Sequence, residues 1–287
     1  DVKKVEELIL RLKDILREGN VIRHQDVESA IKVIGTEKKK TEKKNLSEVI
    51  FLTEKGREIK PKTAHQKVYI EAMRKYDIVF SIGPAGTGKT YLACAVALET
   101  LKEEKVSRIV LTRPVVEAGE KLGFLPGDLH EKINPYLHPL YDAFCSILGP
   151  EKFQRYRKEG IIEVVPLAYM RGRTLDDAFI ILDEAQNTTF LQMKMFLTRI
   201  GFDANVVVTG DITQVDLEVK KQSGLIQVQS VLKNIKGVKF VYFSQVDVIR
   251  HPLVKKIISA FEKYEKREQE KGKEMAGKGR EKGLQNE

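Results

Sequence analysis

The sequence predicts an α/β domain built on a mostly parallel sheet, and two observations predict it. Six short apolar runs, at 78–82, 108–112, 161–165, 179–182, 205–209 and 238–243, alternate with stretches of helical periodicity. Most are continuous, as strands buried on both faces read, and the helices between them supply the crossovers that parallel pairing needs. The first run leads into GPAGTGKT, Gly83 to Thr90. That pattern, GxxxxGK[ST] between a strand and a helix, is a phosphate-binding loop.

Each residue type in the loop has a physical reason. Gly83, Gly86 and Gly88 let the backbone turn its N–H groups inward to line an anion-sized nest. Pro84, Ala85 and Thr87 complete the same binding stretch. Lys89 reaches the β- and γ-phosphates, Thr90 offers a hydroxyl to Mg²⁺, and the helix that follows, apolar at Leu92, Ala95, Val96 and Leu101, points its positive end at the phosphates. The expected ligand is a nucleoside triphosphate and the expected architecture a RecA-like P-loop NTPase core.

Along the chain, residues 1–35 carry apolar positions at helical spacing (Val5, Leu8, Leu12, then Val27, Ala30, Ile31) and read as a small helical N-terminal extension. Residues 36–60 read as a charged linker, TEKKKTEKKN, followed by a hairpin that turns at Lys55-Gly56. The linker is expected to be solvated, with direct RNA contact as the alternative. Residues 61–265 form the core domain, opened by a helix from Pro61 to Met73. Residues 266–287, rich in Lys, Glu and Gly, read as a flexible, disordered basic tail. One connection is long: between Pro114 and Gly160 helical patterns run from Leu129 to Leu148 and from Glu151 to Lys158.

Composition narrows the class. The chain has 287 residues and a formal net charge of +9, which makes an anionic partner such as nucleic acid plausible beside the plainer reading of a Lys/Glu-rich surface. Cys94 and Cys145 form no CxxC pair and read as two core thiols of a reducing compartment. His24, His65, His130, His138 and His251 make no HExxH or other ligand set, so no metal besides Mg²⁺ is expected. No run approaches the length of a membrane span and no signal peptide is visible, which predicts a cytoplasmic protein without a membrane partner.

Two further strands end in chemistry. The run at 179–182 delivers Asp183 and Glu184 at its carboxyl end, where open α/β sheets bind ligands. Asp183 suits the Mg²⁺ shell, and Glu184 suits orienting or deprotonating the attacking water. The run at 205–209 ends in TGDITQ, whose Gln214 amide could bond the γ-phosphate or the water. DEAQ followed by TGDxxQ, each after a strand, positions water rather than an acceptor hydroxyl, which disfavours a P-loop kinase.

These residues carry a resemblance. GPAGTGKT at 83–90, LTRPVVEAGEKLGFLPGDLHEKINPYLHPLYDAF at 111–144, MRGRTLDDAFIILDEAQN at 170–187, TGDITQVDL at 209–217 and DVIRHPLV at 247–254 resemble the PhoH-like ATPase family, related to the first motor domain of superfamily 1 helicases. The resemblance covers 63–264; it departs at a shorter N-terminus and at the basic tail.

The resemblance implies ATP as the nucleotide, with Gln66 in TAHQKVY at the position of an adenine-reading glutamine; a surface amide on a helix is the alternative. It implies Thr112 and Arg113 at the position of a strand-contacting motif for nucleic acid. Lys121, Lys132, Tyr136, Arg155, Tyr156 and Arg157 mix cations with aromatics as single-strand RNA binders do. A packing element looks the same, and Phe124, Leu137, Leu140, Tyr141 and Phe144 are expected to bury. The chain after Asp211 is too short for a second motor domain, so the transition-state arginine must come from this chain or a neighbour. Arg250 is the first candidate, Arg171 and Arg173 the next, and a homo-oligomeric, hexameric ring follows as an expectation. Two functions remain: an ATPase coupled to RNA, with Gln186 and Gln214 sensing the γ-phosphate, or a nucleotide-gated assembly that recruits a partner such as a ribonuclease.

Overall fold

The computed structural model describes residues 48–114, 129–217 and 223–249 and a few helical positions within 253–261. The expected N-terminal helices, the charged linker, Lys121, Phe124, Arg250, the basic tail, and the side chains of Lys132 and Tyr136 lie outside the described residues. The chain divides into two units, 1–247 and 248–287, and all that follows concerns the first.

The hairpin pairs β1 (Phe51–Leu52) with β2 (Glu58–Ile59) antiparallel. Its turn passes through Gly56 at φ +70°, a left-handed conformation that glycine adopts without Cβ strain. Helix α1 (Ala64–Lys75) begins three residues after the expected Pro61 and ends two after Met73: Thr63 is its N-cap, and its hydroxyl accepts from the Gln66 N–H.

The large sheet has six parallel strands: β3 (Ile78–Ile82), β4 (Arg108–Arg113), β5 (Ile162–Pro166), β6 (Ala178–Leu182), β7 (Asn205–Gly210) and β8 (Val238–Tyr242), in the order β5-β4-β6-β7-β3-β8. All six lie within a residue or two of the apolar runs. Successive residues face opposite sides, so Val79, Phe179, Ile181 and Val207 join one core, and Phe80, Ile180, Leu182 and Val208 the other. The first core is covered by α1, α2 (Lys89–Lys102), α3 (Leu129–Leu148) and α4 (Pro150–Lys158). The second is covered by α5 (Phe190–Leu197) and α6 (Gly224–Val231), through Met193, Phe196, Leu225 and Val228.

The long connection thus belongs to the core as well as to the surface. Leu137, Leu140 and Phe144 bury as expected, Tyr141 is half-buried, and Phe144 stacks on Phe153 of α4 at 5.7 Å. Cys94 is fully buried, and burial pushes its thiol far above the ordinary range, which leaves it inert at neutral pH. Cys145 corrects the expectation of two core thiols: it is only partly buried on α3.

The crossover from β3 through α2 to β4 passes over β6 and β7. The carboxyl ends of β3, β7, β6 and β4 therefore stand side by side at the reversal of strand order, where ligands bind in open sheets.

Candidate active site

A cleft of about 230 Å³ lies at these strand ends. The loop after β3 lines one wall with Ala85, Gly86, Gly88, Lys89 and Thr90; the ends of β6 and β7 line the other with Asp183, Glu184, Gly210, Asp211 and Gln214.

The loop is shaped by its glycines. Gly83, Gly86 and Gly88 have φ of +154°, +84° and +81°. A Cβ on Gly83 would meet the Phe243 Cβ and carbonyl oxygen at 2.6 Å, because the Phe243 N–H bonds the Ile82 carbonyl at 2.7 Å and draws the two chains together. Lys89 opens α2, is 9% exposed, and donates from Nζ to the carbonyls of Gly83 (2.6 Å) and Pro84 (2.8 Å). A cation is thus threaded through the loop, beside the positive end of the helix. The Thr87 hydroxyl donates to the Pro84 carbonyl, fixing the loop's curvature.

Gln66 is not a surface amide. It is 3% exposed, donates from Nε2 to the Thr87 carbonyl at 2.9 Å and accepts from the Lys62 N–H at 2.7 Å. Each end of the amide keeps one further bonding capacity, so the residue braces the loop and retains a donor–acceptor edge.

Opposite the loop, Asp183 is 6% exposed, and its Oδ1 accepts from the hydroxyls of Thr90 (2.7 Å) and Thr209 (2.6 Å). A carboxylate and a hydroxyl meeting at the end of a phosphate loop form a hard-oxygen pair suited to Mg²⁺, which keeps several waters and takes its remaining oxygens from phosphates. A second observation fits: Asp211 lines the cleft, and its Oδ2, buried within the wall, has no hydrogen-bond partner among the described residues, while Oδ1 is held by Thr213. A buried carboxylate oxygen left unpaired is costly, and a hydrated cation would satisfy it. Among the described residues no cluster of three His, Cys, Asp or Glu could hold a metal ion.

Glu184 adopts the left-handed conformation, φ +51° and ψ +39°, uncommon for a residue with a Cβ. The short helix that follows, 185–187, enforces it and swings Glu184 away from the strand direction, into the cleft. Gln186, 1% exposed, holds it there: its Nε2 donates to Glu184 Oε2, and its Oε1 accepts from the Asp211 N–H at 3.0 Å. Asn187 and Asp216 exchange a reciprocal pair, 3.1 and 2.9 Å. The DEAQ and TGDxxQ segments are therefore one hydrogen-bonded unit. Gly210 makes this possible, since a Cβ there would come within 2.8 Å of Gln186 Oε1 and 2.4 Å of Leu225. Gln214 is exposed at the cleft mouth.

The arginine and RNA candidates fall differently. Arg173 is paired bidentately with Glu163 of β5, both contacts 2.6 Å, and does not line the cleft, so it serves as a structural ion pair. Arg171 is exposed beyond the short helix 167–170. Thr112 is fully buried and cannot touch nucleic acid, and Arg113 faces the acids. On α4, Arg157 lies over the Tyr141 ring (4.7 Å), and Arg155 and Lys152 lie over Tyr156 (5.7 and 5.4 Å). The Tyr141 and Tyr156 ring faces are therefore engaged by the chain's own cations.

Asp247 ties the end of this unit to α1. It is 1% exposed; burial alone would raise its pKa, but the Ser244 N–H, the Thr63 hydroxyl and His65 (2.9 Å) outweigh burial and hold the carboxyl below its ordinary value of 3.8. A lowered folded value gives stability that is complete above the ordinary carboxylate range and is lost as pH falls through the folded value. Thermal melting from pH 6 to pH 2 is therefore expected to show a steeper acid-side loss for the wild type than for Asp247→Asn; equal slopes would contradict it.

A parallel sheet with a glycine loop, a lysine, a hydroxyl–carboxylate pair and a second acid at its strand ends defines a P-loop nucleotide-binding protein. Comparison with known proteins agrees. Residues 58–262 match the family described as PhoH-like protein. A PhoH-like protein of Bacillus subtilis (strain 168) is 51% identical over 258 residues, covering 90% of this chain and 81% of the relative. Protein PhoH of Escherichia coli (strain K12) is 43% identical over 220 residues, 75% of this chain and 62% of that protein. The chain belongs to the PhoH-like family. Among solved structures, the UvsW helicase of bacteriophage T4 aligns with a TM-score of 0.41 at 11% identity, over 69% of this chain and 64% of that one. No helix of the described residues is long and apolar enough to cross a membrane.

Proposed function

We propose that this chain is a Mg²⁺-dependent ATPase whose hydrolysis is coupled to binding or remodelling single-stranded RNA. The observation that carries the reading is the convergence of Lys89, Thr90, Asp183 and Glu184 on one cleft, with Glu184 turned into it by a left-handed backbone and a dedicated hydrogen bond. Thr90 and Asp183, with Asp211 behind them, would hold Mg²⁺, which when bound neutralises phosphate charge. Lys89 and the loop N–H groups bind the triphosphate. Glu184 orients the attacking water and takes its proton on a carboxylate oxygen, and Gln214 is placed at the mouth to bond the γ-phosphate or that water. The Gln66 amide, with one bonding capacity unused at each end, would read the adenine edge and so select ATP over GTP. The net charge of +9 and the exposed cations of α4 support RNA, held through its phosphates.

A second reading is a nucleotide-gated homo-oligomeric ring, hexameric in the reading above, that recruits a partner such as a ribonuclease and hydrolyses slowly; the Gln186–Glu184 bond, which takes up one of the two carboxylate oxygens that could receive the water's proton, supports the slow hydrolysis. Steady-state ATP hydrolysis with and without single-stranded RNA, with Lys89→Ala as control, separates the two. Stimulation of about tenfold or more, absent from the control, is the expected result for RNA-coupled hydrolysis. Lys89-dependent turnover indifferent to RNA favours the gated assembly.

A further inference from the structure

A cation that does not line the cleft faces two of the acids that do, Asp183 and Glu184. Arg113 ends β4, and the sheet register sets its place: Thr112 stands opposite Leu182, and the Asp183 N–H continues the ladder to the Thr112 carbonyl at 2.9 Å. Arg113 is therefore level with the acid pair. Its Nη1 is 4.0 Å from Asp183 Oδ2 and its Nη2 3.8 Å from Glu184 Oε1, and its side chain is 22% exposed. Both distances exceed hydrogen-bonding reach, so the contact is one of charge. The hydrogen bonds to these carboxylates come from Thr90 and Thr209 on Asp183 and from Gln186 on Glu184.

We propose that Arg113 is a positioning residue for hydrolysis, its guanidinium spanning Asp183 and Glu184, rather than a contact to nucleic acid. The two carboxylates follow one another in the chain, and Asp211 lines the same wall. Without a facing cation the Glu184 carboxylate would be repelled from its neighbours; with one, it is held at the cleft between Gln186 on one oxygen and Arg113 across from the other. The same charge opposes a divalent cation at Asp183. Removing it has two effects of opposite sign: slower hydrolysis, because Glu184 is less well held, and tighter Mg²⁺ uptake, because a positive charge about 4 Å away is gone. General damage to the fold would weaken both.

The inference rests on the ATPase reading above, and the test keeps the two apart. Arg113→Ala and Arg113→Lys are compared with wild type in three measurements: turnover of ATP, the Mg²⁺ concentration giving half-maximal binding of a fluorescent non-hydrolysable ATP analogue, and anisotropy of a labelled single-stranded RNA. For Arg113→Ala, turnover is expected to fall about tenfold or more, the Mg²⁺ midpoint to fall about threefold or more, and RNA affinity to stay within about twofold. Arg113→Lys is expected to recover most of both shifts. RNA affinity lost with turnover intact, or a Mg²⁺ midpoint that rises or stays put, overturns the assignment. If the wild type itself hydrolyses no ATP, the ATPase reading fails, while the direction of the Mg²⁺ shift still decides the place of Arg113.

Discussion

Replacing Glu184 with glutamine is expected to lower ATP turnover by about 10²- to 10³-fold while leaving nucleotide affinity within about threefold. The amide keeps the size of the side chain and can still accept from Gln186, so the loop and the Asp183–Thr90 pair stay in place. What is lost is the charge that orients water and receives its proton, an interaction used in the transition state and not in binding. The result should appear as a fall in kcat with KM nearly constant. A large rise in KM at unchanged kcat would instead make Glu184 a binding residue.

The second large effect concerns folding. Gly83→Val places carbon where the Phe243 Cβ and carbonyl already stand, 2.6 Å from the new Cβ, at a φ of +154°. Neither neighbour is the end of a flexible side chain: Phe243 is buried and its N–H is bonded to Ile82. The expected cost is about 2–4 kcal/mol, read as a lower urea midpoint at unchanged slope. Gly56→Ala is the contrasting case. Its φ is +70° with nothing within 4 Å of a new Cβ, so strain alone acts, about 1 kcal/mol. Equal losses in the two variants would show that the loop at Gly83 yields.

The residues that were legible in the sequence are those whose position follows from local pattern. Strands buried on both faces read as apolar runs, so β3 to β8 were placed within a residue or two, and the P-loop announced itself by glycine spacing. Asp183 and Glu184 followed from the end of a strand. Other features depend on which strands become neighbours, which single runs do not encode. Arg113, at the end of an apolar run, reads through the resemblance as a nucleic-acid contact; only the β4–β6 register brings it level with the acids. Thr112 lies on the same run and is sealed by strands on both sides. Gln66 lies on a helix whose polar residues look solvent-facing, and the close pass of the loop at Thr87 buries it. Gln186 belongs to a legible motif, but its bridge from Glu184 to Asp211 requires β6 beside β7. The left-handed backbone of Glu184 had no signal at all, since nothing in the residue type favours it.

The central claim is that Lys89, Thr90, Asp183 and Glu184 form a site that binds Mg²⁺·ATP and cleaves its γ-phosphate. Single-turnover release of labelled phosphate from γ-labelled ATP, with enzyme in excess and Mg²⁺ present, tests it most directly in the wild type and in Lys89→Ala. The account predicts release by the wild type and a loss of about 100-fold or more in the variant. Equal release by both proteins, or nucleotide bound by the wild type without any release, would contradict it.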